Sequence, residues 1–285
     1  MEWYKTLEVK ALTFEQVHNK PGTGSTNIRI HQLIKYWPEF SLYRYGQNPD
    51  VLIFQKVYIL SDYKFPKHFE NLKILDICDP DWLEGHAIVE TVQAMDAITC
   101  PTEALAEFIR QFTANPVVVI PDRFDLEVLP KPKKHEGVAK TVVWFGYSHN
   151  VGCLKPALGI LDSLGLRLLI ISNDDPNITR WRSVNMRDQY QFIKYDEKTI
   201  YDDLQKADFC LLPDNFRPQD RFKSNNKTVK AILAGLPVAK TSEEVKLYMD
   251  SAEREAFLIN NYDTISKEYD VKKSIEQYKE LIGTL

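Results

Sequence analysis

Short apolar runs bounded by polar, turn-forming residues recur along the whole chain. They fall at 9–14, 41–45, 51–55, 74–78, 97–100 and 117–120, and the spacing predicts a strand at each. Between them lie stretches with helical spacing at 28–37, ended by Pro38, and at 83–95 and 102–112. A polar, proline-rich segment, 130–137, interrupts the series and reads as a linker whose lysines are solvated. The pattern then restarts. Strands are predicted at 141–145, 167–172, 191–194 and 209–212, with helices at 151–164 and 197–206 and an amphipathic helix at 266–282. Strands alternating with helices imply parallel sheets covered on both faces. The expected class is α/β, with two Rossmann-like doubly wound domains facing a cleft. The first domain is expected at 1–129, the linker at 130–137, the second domain at 138–265, and a C-terminal helix at 266–285.

One stretch, 223–241, carries more local information than any other. Val229, Ile232, Leu233 and Leu236 share one helical stripe, and the small Ala231 and Ala234 let that helix lie close to a sheet. Gly235 and Pro237 stop it, and Val238-Ala239 begins a strand. Ser224, Asn225 and Asn226 are helix-starting residues. Free backbone N–H groups and the positive end of the helix dipole meet Lys223 and Lys227 there, a seat for a phosphate or diphosphate. The alternative is a capped surface helix with solvated lysines. Near the start of the chain, a loop containing Pro21, Gly22, Gly24 and Ser25 separates the first strand from the 28–37 helix. That is a nucleotide-fold opening, without the Gly-x-Gly-x-x-Gly spacing of a dinucleotide site.

Composition narrows the picture only a little. The 285 residues suit two ordinary domains, and 44% hydrophobic with 27% charged residues is globular. A formal net charge of −4 gives no overall pull toward nucleic acid or an anionic membrane. Cys78, Cys100, Cys153 and Cys210 are widely spaced beside apolar runs and read as buried, reduced thiols. With no basic-apolar leader and no apolar run of about 20 residues, the cytoplasm is the expected compartment, with no integral membrane association.

The motifs, taken in order, resemble those of GT-B glycosyltransferases, closest to the family 4-like group. In the C-terminal half they are Val143-Trp144-Phe145-Gly146, then Ala207-Asp208-Phe209-Cys210-Leu211-Leu212-Pro213, then Lys223-Ser224-Asn225-Asn226-Lys227 and Ala234-Gly235-Leu236-Pro237-Val238. The N-terminal half adds Gly24-Ser25-Thr26-Asn27-Ile28-Arg29, Asp76-Ile77-Cys78-Asp79, Cys100-Pro101-Thr102-Glu103-Ala104-Leu105 and Val119-Ile120-Pro121-Asp122. The resemblance covers nearly the whole chain. It implies hexosyl transfer from a nucleotide sugar, UDP-linked in the leading reading, as co-substrate and with no required cofactor. It also implies that the C-terminal helix packs back on the N-terminal domain through Val271, Ile275, Tyr278 and Ile282. The chain departs from the pattern where retaining members carry two glutamates. Those positions fall near Phe222 and Lys230, neither of them acidic, so a retaining or an inverting outcome stays open.

Glycosyl transfer expels a nucleotide diphosphate, whose charge must be stabilised. The resemblance implies basic side chains and a helix N-terminus in that role rather than a metal. Donor-binding candidates are Gly146, Asp214, Arg217, Lys223, Ser224, Asn225, Asn226 and Lys227, with Arg221 as a reinforcement. Gly24, Ser25 and Arg29 are the N-terminal loop candidates, Arg29 reaching donor phosphates or forming a salt bridge. For the base that takes the acceptor proton, Asp79 is the first choice and Asp81, Asp76, His86 and His18 are alternatives. Asp79-Pro80-Asp81 also spells an Asp-x-Asp, the metal motif of a different glycosyltransferase fold; two nucleotide-type domains argue against that fold, and no metal is expected. The acceptor is a glycan, a small molecule or a hydroxymethylated pyrimidine in DNA, the last suggested by the chain's resemblance in length to compact phage enzymes. A duplex acceptor needs a basic stripe, for which Lys131, Lys133, Lys134, Lys64, Lys67 and His68 are candidates. The competing readings are a non-catalytic nucleotide-sugar-binding protein and a sugar-nucleotide epimerase.

Overall fold

The computed structural model describes residues 7–62, 64–66, 68–178, 190–214 and 217–285. Lys67 therefore lies outside the described residues. The chain divides into two compact units. The first comprises 1–125, 217–224 and 269–285, and the second 126–216 and 225–268.

The first unit is built on six parallel strands in the order β2-β1-β3-β4-β5-β6. They are β1 (Val9–Thr13), β2 (Phe40–Leu42), β3 (Val51–Gln55), β4 (Leu72–Asp76), β5 (Ala97–Cys100) and β6 (Val117–Val119). Strand alternation divides the side chains between two cores. Leu12, Leu52, Phe54, Leu75 and Ile98 face one core with Val92, Leu105 and Ile109. Val9, Ala11, Val51, Ile53, Ile74 and Ala97 face the other, which contains Ile30, Leu33 and Trp37 and, from the last helix, Val271, Ile275, Tyr278 and Ile282. With both faces covered, β1 and β3 are buried at every position.

The second unit has five parallel strands in the order β11-β10-β7-β8-β9. They are β7 (Thr141–Phe145), β8 (Arg167–Ser172), β9 (Tyr190–Lys194), β10 (Phe209–Leu211) and β11 (Val238–Ala239). Val142, Trp144, Leu168, Ile170, Phe209 and Leu211 share one core with Leu154, Leu158 and Leu161. The Asn226–Leu233 helix packs on this sheet and ends where Gly235 takes a positive φ of 77°. A Cβ on Gly235 would also meet the Lys133 backbone nitrogen at 2.3 Å, so the position needs glycine for conformation and for space.

Four expectations from the sequence are corrected. The 83–95 helix is a 3-10 turn, Asp81–Glu84, stopped by the left-handed Gly85, followed by a helix at Val89–Gln93. The 151–164 helix begins as 3-10 structure, Ser148–Ala157, and is α-helical only beyond Pro156, at Leu158–Ser163. The 266–282 helix is the end of one helix, Ser251–Glu268, and most of another, Val271–Thr284, restarted by the Asp270 side chain accepting from Lys272 N–H at 2.9 Å. The lysines of 130–137 are not all solvated either. Lys133 Nζ donates to the carbonyls of Gln205 (3.0 Å) and Ala207 and lies 3.4 Å from Asp208. Two residues on, buried His135 meets Gly235 O at 2.9 Å and Arg254 at 3.2 Å. The segment is bound into the second unit by the polar groups that made it read as a tether.

Candidate active site

In an open parallel sheet, ligands gather outside the carboxyl ends of the strands where the strand order reverses. In the second unit that point lies between β7 and β10. Gly146 leaves the end of β7, and Lys227 stands in the first turn of the helix that follows β10. The two meet: a Cβ on Gly146 would lie 2.9 Å from Lys227 Nζ. The same ammonium is 5.6 Å from the centre of the Trp144 ring. Asn225 is the helix N-cap residue and makes no side-chain cap bond, and Asn226 is the first helical residue. A cation from the first turn of a helix thus meets a glycine that leaves room for it, the kind of arrangement by which a fold binds phosphate oxygens. Asp214 is on the same edge, exposed and 3.8 Å from Lys240. Beside these, the loops after β7 and β8 are tied by Ser148 N–H donating to Asn173 Oδ1 at 2.9 Å.

One helical turn beyond Lys227, Lys230 is buried and carries a lysine into the position where the family resemblance implies an acid. Its Nζ lies 3.3 Å from Glu197 Oε1 and 3.4 Å from the Tyr195 hydroxyl, which itself donates to Glu197 Oε2. Burial pushes the Lys230 ammonium down, against the opposing pull of Glu197, and burial together with Glu197 pushes the Tyr195 hydroxyl up. The loop after β9 therefore presents a half-exposed carboxylate against Lys230. Sequence reading missed Glu197, because nothing in the 191–206 pattern distinguishes it from its acidic neighbours.

Gly146, Asp214, Asn225, Asn226 and Lys227 fall in the second unit, and Arg217, Lys223 and Ser224 in the first. Phe222 is buried there, with its ring 5.1 Å from Trp82 and 5.7 Å from Phe108, and its carbonyl accepts from the Thr102 hydroxyl at 3.0 Å. Ser224 donates to Asp122. Arg217 pairs with Asp220 at 3.0 Å, and Lys223 and Arg221 are exposed, the latter lying over the Phe222 ring.

In the first unit the strand order reverses between β1 and β3. Lys56, immediately after β3, has a positive φ of 52°, which a lysine adopts only when its surroundings impose it. Its Nζ reaches Asp79 Oδ2 at 2.8 Å and Asp81 Oδ1 at 3.1 Å. Asp81 is buried and also accepts from the Tyr58 hydroxyl. Burial pushes the Asp81 carboxyl up, with Lys56 and Tyr58 opposing. Burial by itself would lower the Lys56 ammonium, but the surrounding Cys78, Asp79 and Asp81 raise it well above its ordinary value. His86, half-buried, has its ring 5.3 Å from Tyr58. The structure thus joins Asp79, Asp81 and His86 around Lys56 and Tyr58, neither singled out from the sequence.

Arg29 and Asp76 form the buried centre of this unit. The Arg29 guanidinium donates through Nε to both Asp76 oxygens at 3.0 and 3.1 Å, and through Nη1 to Ile120 O at 2.6 Å and Asp122 Oδ1 at 3.1 Å. Asp76 also accepts from Thr99 at 2.7 Å and Tyr278 at 3.1 Å. Of the two roles open to Arg29, the structure shows the salt bridge. Gly24 and Ser25 lie in the helical turn Gly24–Thr26, half-buried, and Thr26 donates to Gln55 at 2.9 Å.

No protein-family model and no curated protein sequence matches this chain. Solved structures do. HepE from Anabaena, crystallised with UDP, is 11% identical with a TM-score of 0.67, over 98% of this chain and 100% of that one. BGT of T4 phage, in complex with its UDP-glucose substrate, is 10% identical with a TM-score of 0.57, over 96% and 99%. TarM from S. aureus, crystallised as a mutant with UDP and glycan ligands, is 12% identical with a TM-score of 0.59, over 81% of this chain; the chain spans only 55% of TarM. Two all-parallel α/β units and these neighbours establish the fold as the two-domain Rossmann-like fold of GT-B glycosyltransferases.

Proposed function

We propose that this protein transfers a hexosyl group from a UDP-linked sugar to an acceptor hydroxyl. The observation that carries the reading is the convergence of Lys227 on Gly146 at the point of strand reversal in the second unit. That arrangement suits a diphosphate, the leaving group of such a transfer. UDP or UDP-glucose in the solved neighbours supports uridine as the nucleotide. In this reading Gly146, Asn225, Asn226 and Lys227 hold the diphosphate. The Glu197 carboxylate, fixed by Lys230 and Tyr195, accepts hydrogen bonds from sugar or ribose hydroxyls. Asp79, Asp81 and Lys56 form the polar wall on the acceptor side, with Asp79 Oδ2 committed to Lys56 unless that contact opens.

Acceptors bearing ordinary hydroxyls, glycans or small molecules, fit the charge better than a DNA duplex does. The chain is net acidic, and of the six basic residues a duplex would need, Lys133 is spent inside the second unit. Replacement of an acid by Lys230 favours a second reading, a protein that binds nucleotide sugars without turnover. Incubation with UDP- and GDP-sugars and a panel of glycan, small-molecule and hydroxymethylated-DNA acceptors, read by mass spectrometry, separates the two. A glycosylated product supports transfer; tight UDP-sugar binding with neither product nor released UDP supports the binding protein. Conversion of the free nucleotide sugar without any acceptor would point to an epimerase.

A further inference from the structure

The first unit also holds a cavity that none of the candidate site residues lines. Its volume is about 360 Å³, the size of a small-molecule site. It lies at the carboxyl end of the edge strand β2, between that strand, β1 and the helix Phe14–His18. Local bonds fix its walls. Gln16 Nε2 donates to Tyr43 O at 2.9 Å, and Gln16 Oε1 accepts from Thr13 N–H at 3.1 Å, so one amide ties the helix start to the strand end. Gly46, with a φ of 89°, turns the chain so that Gln47 N–H donates to Arg44 O at 3.1 Å. Gln47 Oε1 accepts from Arg44 N–H at 2.8 Å, and the Gln47 side-chain NH2 has no partner among the described residues.

Lys10 is buried, at 6% exposure, with Nζ 3.0 Å from Ser41 Oγ and 2.9 Å from Glu8 Oε1. An ammonium carries three N–H groups, so one remains after these two contacts. Arg44 is exposed, and its guanidinium has no partner among the described residues. Both charged residues that line the cavity are therefore cations. The acid that answers Lys10, Glu8, stands outside the lining with its side chain 55% exposed. Burying an ammonium is costly, and a solvated carboxylate offsets little of that cost. Leu42 and the buried Tyr43 supply the apolar part of the wall.

We propose that this cavity binds a sugar bearing a carboxylate or phosphate group. The oxyanion meets Lys10 Nζ and the Arg44 guanidinium, accepts from the Gln47 amide, and takes the place of Glu8 on Lys10. The cavity has more room than a bare oxyanion fills, and its mixed wall of donors, Leu42 and Tyr43 suits a polyhydroxylated ring. Every lining residue belongs to the first unit, so the site is independent of the transferase reading.

Calorimetry with glucuronate, glucose 6-phosphate, inorganic phosphate and glucose tests it, with UDP at saturation so that anions seated at the Gly146–Lys227 edge are not counted. Either acidic sugar should bind saturably, inorganic phosphate about tenfold more weakly, and glucose not at all. Arg44→Ala and Lys10→Met should each lower the affinity about 10–100-fold, the worth of a hydrogen bond to a charged group. Glu8→Gln should raise it several-fold, because the ligand no longer competes with a carboxylate for Lys10. A packing role for Lys10 would not produce that gain. Circular dichroism checks folding. Should Lys10→Met fail to fold, Arg44→Ala and Glu8→Gln, both at exposed positions, decide the matter. No saturable binding of either acidic sugar, equal affinity for inorganic phosphate, or folded Arg44→Ala and Glu8→Gln proteins with the parent's affinity overturns the proposal. UDP binding and sugar transfer by the parent test the transferase reading separately, so failure of one leaves the other standing.

Discussion

The two carboxyl edges of the molecule are built on opposite principles. At the edge of the second unit the charge is turned outward only to the extent of its exposure: half-buried Lys227 meets Gly146 beside the exposed helix start at Asn225. At the edge of the first unit, charge is turned inward: Arg29, Asp76, Asp122, Lys56 and Asp81 neutralise one another, and all but Lys56 are buried. On the transferase reading proposed above, the contrast follows from what each edge would bind. A diphosphate brings its own negative charge and needs donors already in place. An acceptor hydroxyl brings none, so the protein must supply both signs and hold them rigidly.

The largest expected effect lies in the inward-turned edge. Asp76→Ala removes the principal partner of the buried Arg29 guanidinium, leaving it Asp122 and the Ile120 carbonyl, and leaves the Thr99 and Tyr278 hydroxyls only each other. Breaking one side of a buried pair costs about 3–5 kcal/mol. Urea unfolding should register that loss, and a cost below about 1 kcal/mol would mean the network is better solvated than its burial indicates. Lys227→Ala tests the outward-turned edge. Stability should stay within about 0.5 kcal/mol, while UDP affinity by calorimetry falls about 10–100-fold, the worth of a hydrogen bond to a charged group. Undiminished affinity would remove Lys227 from the donor site. Gly146→Ala should lower UDP affinity more weakly, because its Cβ meets the far end of a flexible side chain before it meets the Trp144 ring at 3.2 Å, while the φ of 153° adds backbone strain that is read as lost stability. A several-fold loss of UDP affinity is expected in the parent and none in the Lys227→Ala background. Equal losses in both would mean the glycine contacts the ligand by itself.

The same contrast explains what was legible in the sequence. Strands at 51–55, 97–100, 141–145 and 167–172 were read to the residue, because a strand buried on both faces is an unbroken apolar run bounded by turns. The meeting of Gly146 with Lys227 was also readable, since a strand end and a helix start are local signals that topology brings together. The inward-turned edge was not. A left-handed Lys56 has no residue signature, as glycine or asparagine would. Asp62 reads as an ordinary turn residue, and His18, whose ring nitrogen lies 2.9 Å from its carboxylate, is on another element far away in sequence. The helix breaks at Gly85 and Asp270 went unread for a related reason: an apolar period runs on through a cap, and only backbone geometry shows where it stops. The Lys133 side chain misled because a proline-rich lysine cluster looks the same whether its ammonium meets water or buried carbonyls.

The last effect concerns stability alone and falls on Asp208, the acid just before β10. Its Oδ2 accepts from Lys140 N–H at 2.7 Å and Thr141 N–H at 3.0 Å, holding the start of β7 beside β10, and Lys133 lies 3.4 Å from Oδ1. Burial pushes this carboxyl up, but the two N–H donors and Lys133 outweigh it and hold it below its ordinary value. The folded state therefore binds this proton less readily than the unfolded chain does. The associated stability is complete above the unfolded pKa, about 3.9, and is lost as pH falls through the lower folded value. Asp208→Asn should cost about 1–2 kcal/mol at neutral pH, since an amide accepts these bonds less strongly than a carboxylate. Measured from pH 7 downward, that cost should shrink below about pH 4 as the parent loses the same contribution. A cost that stayed level with pH would assign the effect to altered packing at the strand start, and the charge would then play no part in joining β7 to β10.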